Sequence, residues 1–135
     1  WSNTTGLIQG VTTITSSNEA KKDFNGFQNT QSIAEYTHAS AAYECTVTQF
    51  KNGQMGYLAS VGEWMEIINN LDEINKCMSL IDGLDIDEGA TSYWTSTQYN
   101  YEKAWLVTYN GNEFYPNDGR KGVSFYAIRV ISQLI

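Results

Sequence analysis

The fold is decided by the stretch from Ala104 to Gly111, which reads Ala-Trp-Leu-Val-Thr-Tyr-Asn-Gly. Aromatic and β-branched residues favour a strand, and Asn110-Gly111 is typical of a tight β-hairpin turn. In this strand, odd-numbered side chains share one face and even-numbered ones the other. The odd-numbered set is larger and more apolar. We therefore expect it to be buried, which leaves Leu106 and Thr108 outward.

Two more β-rich runs flank this hairpin, from Tyr93 to Thr97 and from Val123 to Ile131. A second turn is predicted at Asn117-Asp118-Gly119, because Asn, Asp and Gly favour turns. The C-terminal third of the chain is therefore expected to consist of antiparallel strands joined by loops.

The first half of the chain has a different periodicity. Residues 1–22 favour an N-terminal strand region, and a first helix is predicted from about Thr30 to Val47. A second helix is predicted to begin at Ser60, where Ser60-Val61-Gly62-Glu63 forms a capping box. Strands, two helices and further strands in this order indicate an α+β fold, with residues 1–135 as a single domain.

Charge excludes some classes of partner. The net charge is −7, and the eight basic residues are spread along the chain. Nucleic acids and anionic membranes are bound by clustered Lys and Arg, which this sequence lacks. No apolar run is long enough to span a bilayer. We therefore expect no nucleic-acid partner and no membrane insertion.

Residue types that support catalysis or metal binding are few. His38 is the single histidine, and Cys45 and Cys77 stand too far apart in sequence for a zinc motif, so their pairing stays open. Four acidic residues lie close together, but they do not continue as an EF-hand loop and are interpreted as a solvated acidic loop. These four are Asp82, Asp85, Asp87 and Glu88. We expect no enzyme activity, no cofactor and no metal.

Five sequence stretches together resemble the C-type-lectin-fold domains of bacterial surface proteins, pilus-tip adhesins and phage receptor-binding proteins. They are residues 23–30, 56–64, 93–99, 104–107 and 127–130. The resemblance covers about the last four-fifths of the chain, and its specificity comes from the combination. Ala59 departs from it, since the family usually has proline there. The resemblance implies a C-type-lectin-like fold, with two helices packed on antiparallel strands and a loop-rich C-terminal third.

A subset of this family comprises the variable proteins of diversity-generating retroelements, in which a C-terminal segment is rewritten at adenine-containing codons. The segment 93–125 resembles such a variable segment, because it is rich in the Asn, Tyr, Thr, Ser and Asp that this rewriting favours. By position, the resemblance implies a scaffold role for Trp64, Trp94 and Trp105. It also implies a ligand-binding face formed by Tyr93, Thr95, Thr97, Tyr99, Tyr101, Leu106, Thr108, Asn110, Glu113, Tyr115, Asn117 and Asp118.

The function that follows is ligand binding. Tyr offers rigid amphipathic contact area, and Asn, Ser and Gly adapt their hydrogen bonds to a partner. We expect an extracellular, calcium-independent adhesin or receptor-binding module on a bacterial surface, a pilus or a virion. Its ligand would be a host or cell-surface protein or a glycan, bound with avidity from multivalent display. The alternative is a pilin-like or fibre-assembly subunit that uses the same face as an interprotomer contact.

Overall fold

The computed structural model describes residues 1–81, 85–86, 92–123 and 126–132. Its helices are α1 (Ser17–Ala20), α2 (Gly26–Tyr36), α3 (Ala41–Thr46), α4 (Val61–Asn69) and α5 (Leu71–Leu80). Its strands are β1 (Tyr57–Leu58), β2 (Ser92–Gln98), β3 (Lys103–Tyr109), β4 (Phe114–Arg120) and β5 (Val130–Ile131). Helices precede an antiparallel sheet in this order, which confirms the predicted α+β class.

Strands β2, β3 and β4 form an antiparallel sheet in the order β2-β3-β4. Leu106 at the middle of β3 pairs with Trp94 on one side and with Asn117 on the other. The predicted Asn110-Gly111 turn joins β3 to β4. Gly111 has a φ of 91°, and Asn110 Oδ1 accepts the N–H groups of Asn112 at 3.0 Å and Glu113 at 2.9 Å. These bonds fix the hairpin tip.

Both faces of β3 are covered, contrary to the expectation that Leu106 lies outward. Leu106 is 1% exposed and packs with Trp94 in a cluster that includes Ile33 of α2 and Cys45 of α3. The opposite face is buried as well, where Val107 packs in the cluster of Trp64 on α4. Helices therefore lie on both sides of the sheet, and both faces of β3 are buried at its centre.

The two outer edges of the sheet differ. Backbone groups of β2 pair with loop segments on the side away from β3. Ser96 N donates to Ala59 O at 2.8 Å, Trp94 N to Ala127 O at 3.0 Å and Gln98 N to Thr12 O at 2.9 Å. Among the described residues, β4 has no strand or loop paired along its outer side. The edge at β4 is therefore the open edge of this sheet.

The single first helix predicted from Thr30 to Val47 is wrong, because the structure divides it into α2 and α3. The chain between them is held by the N-terminal segment, where Ser2 and Ser40 form an isolated bridge. Ser40 then caps α3, since its hydroxyl accepts the Tyr43 N–H at 3.1 Å. Pairing with a segment remote in sequence thus ends α2 within the predicted helix.

Three predictions for the strands also need correction. The region 1–22 contains no regular strand, only the bridges of Ser2 and Thr13 and the short helix α1. The predicted turn 117–119 lies inside β4. Gly119 is required there because a Cβ would stand 2.9 Å from Leu106 Cδ2. Of the described residues between 123 and 131, only Val130–Ile131 are in a regular strand, which pairs with β1.

The second helix begins after Ser60 as predicted, but its cap differs. The Ser60 hydroxyl donates to Asp23 O at 2.5 Å and makes no cap bond to the helix. The helix also divides at Asn70, whose φ of −115° and ψ of 21° leave the helical region, and α5 follows. Among the helices of the described chain, none is both long and apolar enough to cross a membrane.

Candidate functional site

Four of the predicted ligand-binding residues are buried, which contradicts their assignment to an exposed face. They are Tyr93, Thr95, Thr97 and Leu106, each at most 4% exposed. Their side chains hold the interior together. Thr95 Oγ1 donates to Trp105 O at 2.8 Å, and the Tyr93 ring packs on Trp64 with centroids 5.1 Å apart. Alternate residues of β2 do not form one exposed and one buried face, because loops and helices cover both faces.

Thr97 belongs to a polar cluster around Asp23 that the sequence did not reveal. The buried Asp23 carboxylate accepts bonds from Asn25 N at 2.9 Å, Asn29 Nδ2 at 3.0 Å and Thr97 Oγ1 at 2.7 Å. Thr97 Oγ1 also accepts the Val61 N–H at 3.0 Å. A buried carboxylate with this many donors is satisfied structurally. The cluster therefore ties the turn before α2 to β2 and α4.

A second buried carboxyl group lies beside this cluster. Glu63 Oε1 accepts the Gly26 N–H at 2.8 Å. Burial raises the pKa of Glu63, although the bond from the Gly26 N–H opposes the shift, and the charge of Asp23 adds to it. Burial and the neighbouring Glu63 together raise the pKa of Tyr57 to about 12. A Cβ at Gly26 would overlap the Glu63 carboxyl oxygens, so a larger residue there would displace this side chain.

The predicted residues that do reach the surface lie at two ends of the sheet. Tyr99 and Tyr101 belong to the loop between β2 and β3, where the Tyr99 ring packs on Trp105 at 5.1 Å and Tyr101 is 55% exposed. Asn110 and Glu113 belong to the opposite turn. A seven-residue strand of about 3.4 Å per residue separates the two ends by roughly 20 Å. The single continuous binding face predicted from the sequence is therefore not formed.

One coherent group remains at the second end, and we call it the hairpin surface. Thr108 and Tyr115 are cross-strand partners, and Asn117 follows Tyr115 on the same face of β4. Thr108 is half-buried and shares a hydrogen bond of 3.2 Å with the Ser92 hydroxyl, whereas Tyr115 and Asn117 are exposed. The hairpin surface comprises Thr108, Asn110, Asn112, Glu113, Tyr115 and Asn117.

Asp118 lies in the same strand but on the other face. Its carboxylate pairs with Lys103 at 2.7 Å, toward the Tyr101 end of the sheet. This ion pair raises the pKa of Lys103. The pair leaves Asp118 outside the hairpin surface.

The open edge of β4 has features that discourage another strand from adding to it. Asn110 N bonds Glu113 O at 3.1 Å, so the alternating ladder places the backbone groups of Pro116 and Asp118 on the outer side. Pro116 has no N–H to donate. The Asp118 N–H is taken by Asn117 Oδ1 at 2.9 Å. Side-chain contacts are therefore the main means of recognition at this edge.

Two of the clefts on the described surface lie beside the sheet. The acidic cleft, about 750 Å³ in volume, lies between the α4–α5 junction and the hairpin tip. The aromatic cleft, about 330 Å³, lies between the N-terminal segment, α3 and the end of the sheet, and includes Trp1, Trp94 and Tyr126. The sequence analysis predicted neither cleft, because each is formed by segments remote in sequence.

Lys121 lies beneath the aromatic cleft and is 1% exposed. Its ammonium donates to Gly6 O at 2.6 Å and to Gln98 Oε1 at 2.5 Å, and stands 4.8 Å from the centre of the Trp1 ring. Burial lowers the pKa of Lys121 to about 8. This lysine therefore fastens the N-terminal segment to the sheet through neutral acceptors.

The other residues singled out from the sequence are the three scaffold tryptophans and the two cysteines. Trp64, Trp94 and Trp105 are buried, as a scaffold role requires. Cys45 is buried, with its pKa raised by burial to about 12, and Cys77 is exposed. Both thiols are free.

The predicted acidic loop and the single histidine can be placed only in part. His38 stacks on Tyr43 with ring centroids 4.2 Å apart. Asp82, Asp87 and Glu88 lie outside the described residues. Within the described ranges, no three acidic, Cys or His side chains form a metal-binding group.

Comparisons with known proteins give one match among solved structures. The chain is similar to a fimbrial protein from Bacteroides ovatus ATCC 8483, at 21% sequence identity and a TM-score of 0.48. The match covers 75% of this chain and 23% of that protein, so this chain corresponds to about a quarter of its length. No protein-family model and no curated protein matches the chain. A similarity of this size assigns no role to it.

Proposed function

We propose that this chain is a non-enzymatic, extracellular ligand-binding module with a C-type-lectin-like fold, and that the hairpin surface is its contact area. The observation that carries the proposal is the contrast along the predicted binding face. Its buried members serve the core, while Tyr115 and Asn117 project from an open edge strand. Exposed tyrosine with neighbouring amides is the chemistry of a contact surface.

The rigidity of the hairpin supports this role. Asn110 locks the turn, and β3 is anchored by burial on both of its faces. A preorganised surface loses little conformational entropy when it binds. One surface of this size would bind modestly, so display in several copies on a fibre, pilus or virion would raise avidity.

Burial in β2 supports a narrower variable segment than the proposed residues 93–125. Substitution at Tyr93, Thr95 or Thr97 would disturb the interior, and substitution at Asn110 would loosen the turn, whereas Asn112, Tyr115 and Asn117 are exposed and tolerant of change. We therefore propose that any diversification is concentrated in the hairpin. A downstream near-repeat of this coding region, differing at adenines and adjoining a reverse transcriptase gene, would test it. Codon differences concentrated in β2 instead would contradict it.

The alternative role, a pilin-like or fibre-assembly subunit, would also use exposed side chains. The chemistry of the β4 edge argues against one form of it, the addition of a strand from another copy. Pro116 lacks a donor, and Asn117 occupies the Asp118 N–H.

Binding by a tetramerised, fluorescent form of the domain tests the proposal. It would be applied to an array of purified cell-surface proteins and glycans. The double variant Tyr115→Ala/Asn117→Ala should lose at least about tenfold in affinity, because it removes a central aromatic anchor. Tyr101→Ala, which removes an exposed tyrosine at the other end of the sheet, is the matched control and should bind like the unmodified domain. Loss in the control with retention in the double variant would place binding elsewhere.

A further inference from the structure

The acidic cleft has a shape and composition that indicate one kind of ligand group. Its volume of about 750 Å³ lies within the roughly 300–1,000 Å³ usual for ligand pockets. One wall is the junction of α4 with α5, and the other is the tip of the hairpin. Its lining includes Met65, Ile68, Asp72, Tyr109, Glu113 and Phe114.

Part of this lining is apolar and fixed. The Tyr109 and Phe114 rings lie 4.9 Å apart, and Phe114 packs on the buried Tyr93 at 6.3 Å. Met65 and Ile68 of α4 pack against the same cluster. A hydrocarbon chain entering the cleft would therefore meet apolar side chains that are already held in place.

The polar part of the lining is acidic. Asp72 and Glu73 stand in the first turn of α5, where carboxylates stabilise the helix N-terminus, and Glu73 also pairs with Lys76 at 3.4 Å in an exposed ion pair. Glu113 has neither role and comes from the opposite wall. Among the described residues, Asp72 and Glu113 have no ion-pair partner, and no Lys, Arg or His lines the cleft.

We propose that the acidic cleft receives a Lys or Arg side chain of a protein ligand. The aliphatic stem would lie on the apolar lining, and the cation would stay between the carboxylates of Asp72 and Glu113. Asn110 already holds the backbone N–H of Glu113, so this wall is fixed before the ligand arrives. The inference rests on the proposed binding function and makes the ligand a basic protein surface.

The charge of the whole chain agrees with this choice. A net charge of −7 repels anionic glycans and steers basic partners toward the protein. A neutral glycan would gain little from carboxylates on two opposite walls. The outcomes of the test below separate these ligands.

The test is an NMR titration of the ¹⁵N-labelled domain with two short blocked peptides, acetyl-Gly-Lys-Gly-amide and the same peptide with norleucine in place of lysine. The two differ in the cation and share most of the stem. The lysine peptide should shift the backbone signals of residues 69–73 and 112–114 in a saturable way, with a dissociation constant in the millimolar range, as expected for so small a ligand. The norleucine peptide should bind at least about fivefold more weakly, and salt should weaken the lysine peptide alone.

Glu113→Gln should weaken the lysine peptide about three- to tenfold and leave the norleucine peptide unchanged. Glu102→Gln, at an exposed position in the loop at the other end of the sheet, is the matched control and should change neither. Equal binding of both peptides, shifts outside the cleft, or normal lysine binding by Glu113→Gln would overturn the inference.

The two proposals fail in different ways. Cleft binding of the lysine peptide, together with array binding that is indifferent to Tyr115→Ala/Asn117→Ala, would leave the cleft in place and remove the hairpin surface as the contact area. The reverse pattern, or array hits that are exclusively neutral glycans, would remove the basic ligand and leave the hairpin surface.

Discussion

Strands β2 and β4 lie on either side of β3, and both were predicted to carry ligand-binding residues, yet they have opposite roles. Every residue of β2 is buried, whereas in β4 only Phe114 and Gly119 are buried and Tyr115, Asn117 and Arg120 are exposed. Polar side chains occur in both. In β2, Thr95, Thr97 and Gln98 bind other parts of the chain, whereas in β4 Tyr115 and Asn117 are exposed. Whether a polar residue in a strand is exposed therefore depends on which elements cover that strand.

The difference follows from what lies beyond each strand. The outer edge of β2 is paired by loop segments from residues 12, 59 and 127, whereas β4 is covered along its outer side by no described segment. A central position requires each polar group to find an internal partner, and an edge position does not. Four substitutions, each with a matched control, test this contrast.

The largest effect is expected for Leu106→Ala, which removes a buried side chain from the middle of β3. It should lower the free energy of unfolding by about 2–5 kcal/mol, because it leaves a cavity between α2, α3 and the sheet. Its cross-strand partner on β4 gives the control, since Asn117→Ala should change the value by no more than about 0.5 kcal/mol. Urea denaturation measures both. Similar losses in the two variants would mean that β4 is not an edge strand.

A smaller effect is expected for Thr97→Val, which keeps the shape of a β2 side chain and removes its hydroxyl. The Val61 N–H and one Asp23 oxygen would lose a partner, at a cost of about 1–3 kcal/mol. Thr108→Val, on the half-buried end of β3, should cost less than about 1 kcal/mol. The comparison uses thermal and urea unfolding at neutral pH. Equal stability of both variants would show that the polar cluster at β2 contributes nothing specific.

A pH-dependent effect is expected for Lys121, next to the end of β4. Its pKa is about 8 in the folded protein and near the ordinary 10.5 in the unfolded chain, so the unfolded chain binds more protons between these values. Lys121 therefore contributes a rise in stability with pH across this window, of about 1.5 kcal/mol between pH 8 and 9.5, while the raised pKa of the buried Cys45 thiol contributes a fall. Lys121→Met should lack the rise when its unfolding curves are compared with those of the unmodified protein. Lys103→Met, which removes a half-buried lysine at the same end of the sheet, should retain it.

The smallest effect on stability is expected for Pro116→Val, which gives the β4 edge one more backbone donor. The free energy of unfolding should change by less than about 1 kcal/mol, because the position is half-buried and faces the outer side. Self-association measured by sedimentation velocity should increase, since strand addition becomes easier. Asn112→Val, in the turn, is the control for added hydrophobicity. Unchanged association would show that Pro116 does not protect the edge.

Local patterns predicted the elements that depend on neighbours in sequence. The Asn110-Gly111 hairpin and the start of α4 after Ser60 both lie where they were expected. Predictions that needed tertiary information were wrong, as at the break between α2 and α3 or the exposure of Leu106. For the candidate site, the sequence predicted the exposure of Tyr115 and Asn117 but not their separation from Tyr101, and it predicted neither cleft. The distance between two residues of the sheet depends on how the strands pair, and the alternation of residue types along one strand does not show that pairing.

The sequence by itself determined the α+β class, the antiparallel hairpin and the net charge of −7, because propensities, turn residues and charge act locally or sum over the chain. Only the tertiary structure decided which polar residues became interior partners and which remained exposed. Asp23 and Thr97 are 74 residues apart and share a hydrogen bond, while Tyr115 stands free on an edge. The physical reason is that burial depends on how remote segments pack on both faces of the sheet. No single segment of sequence therefore predicts it.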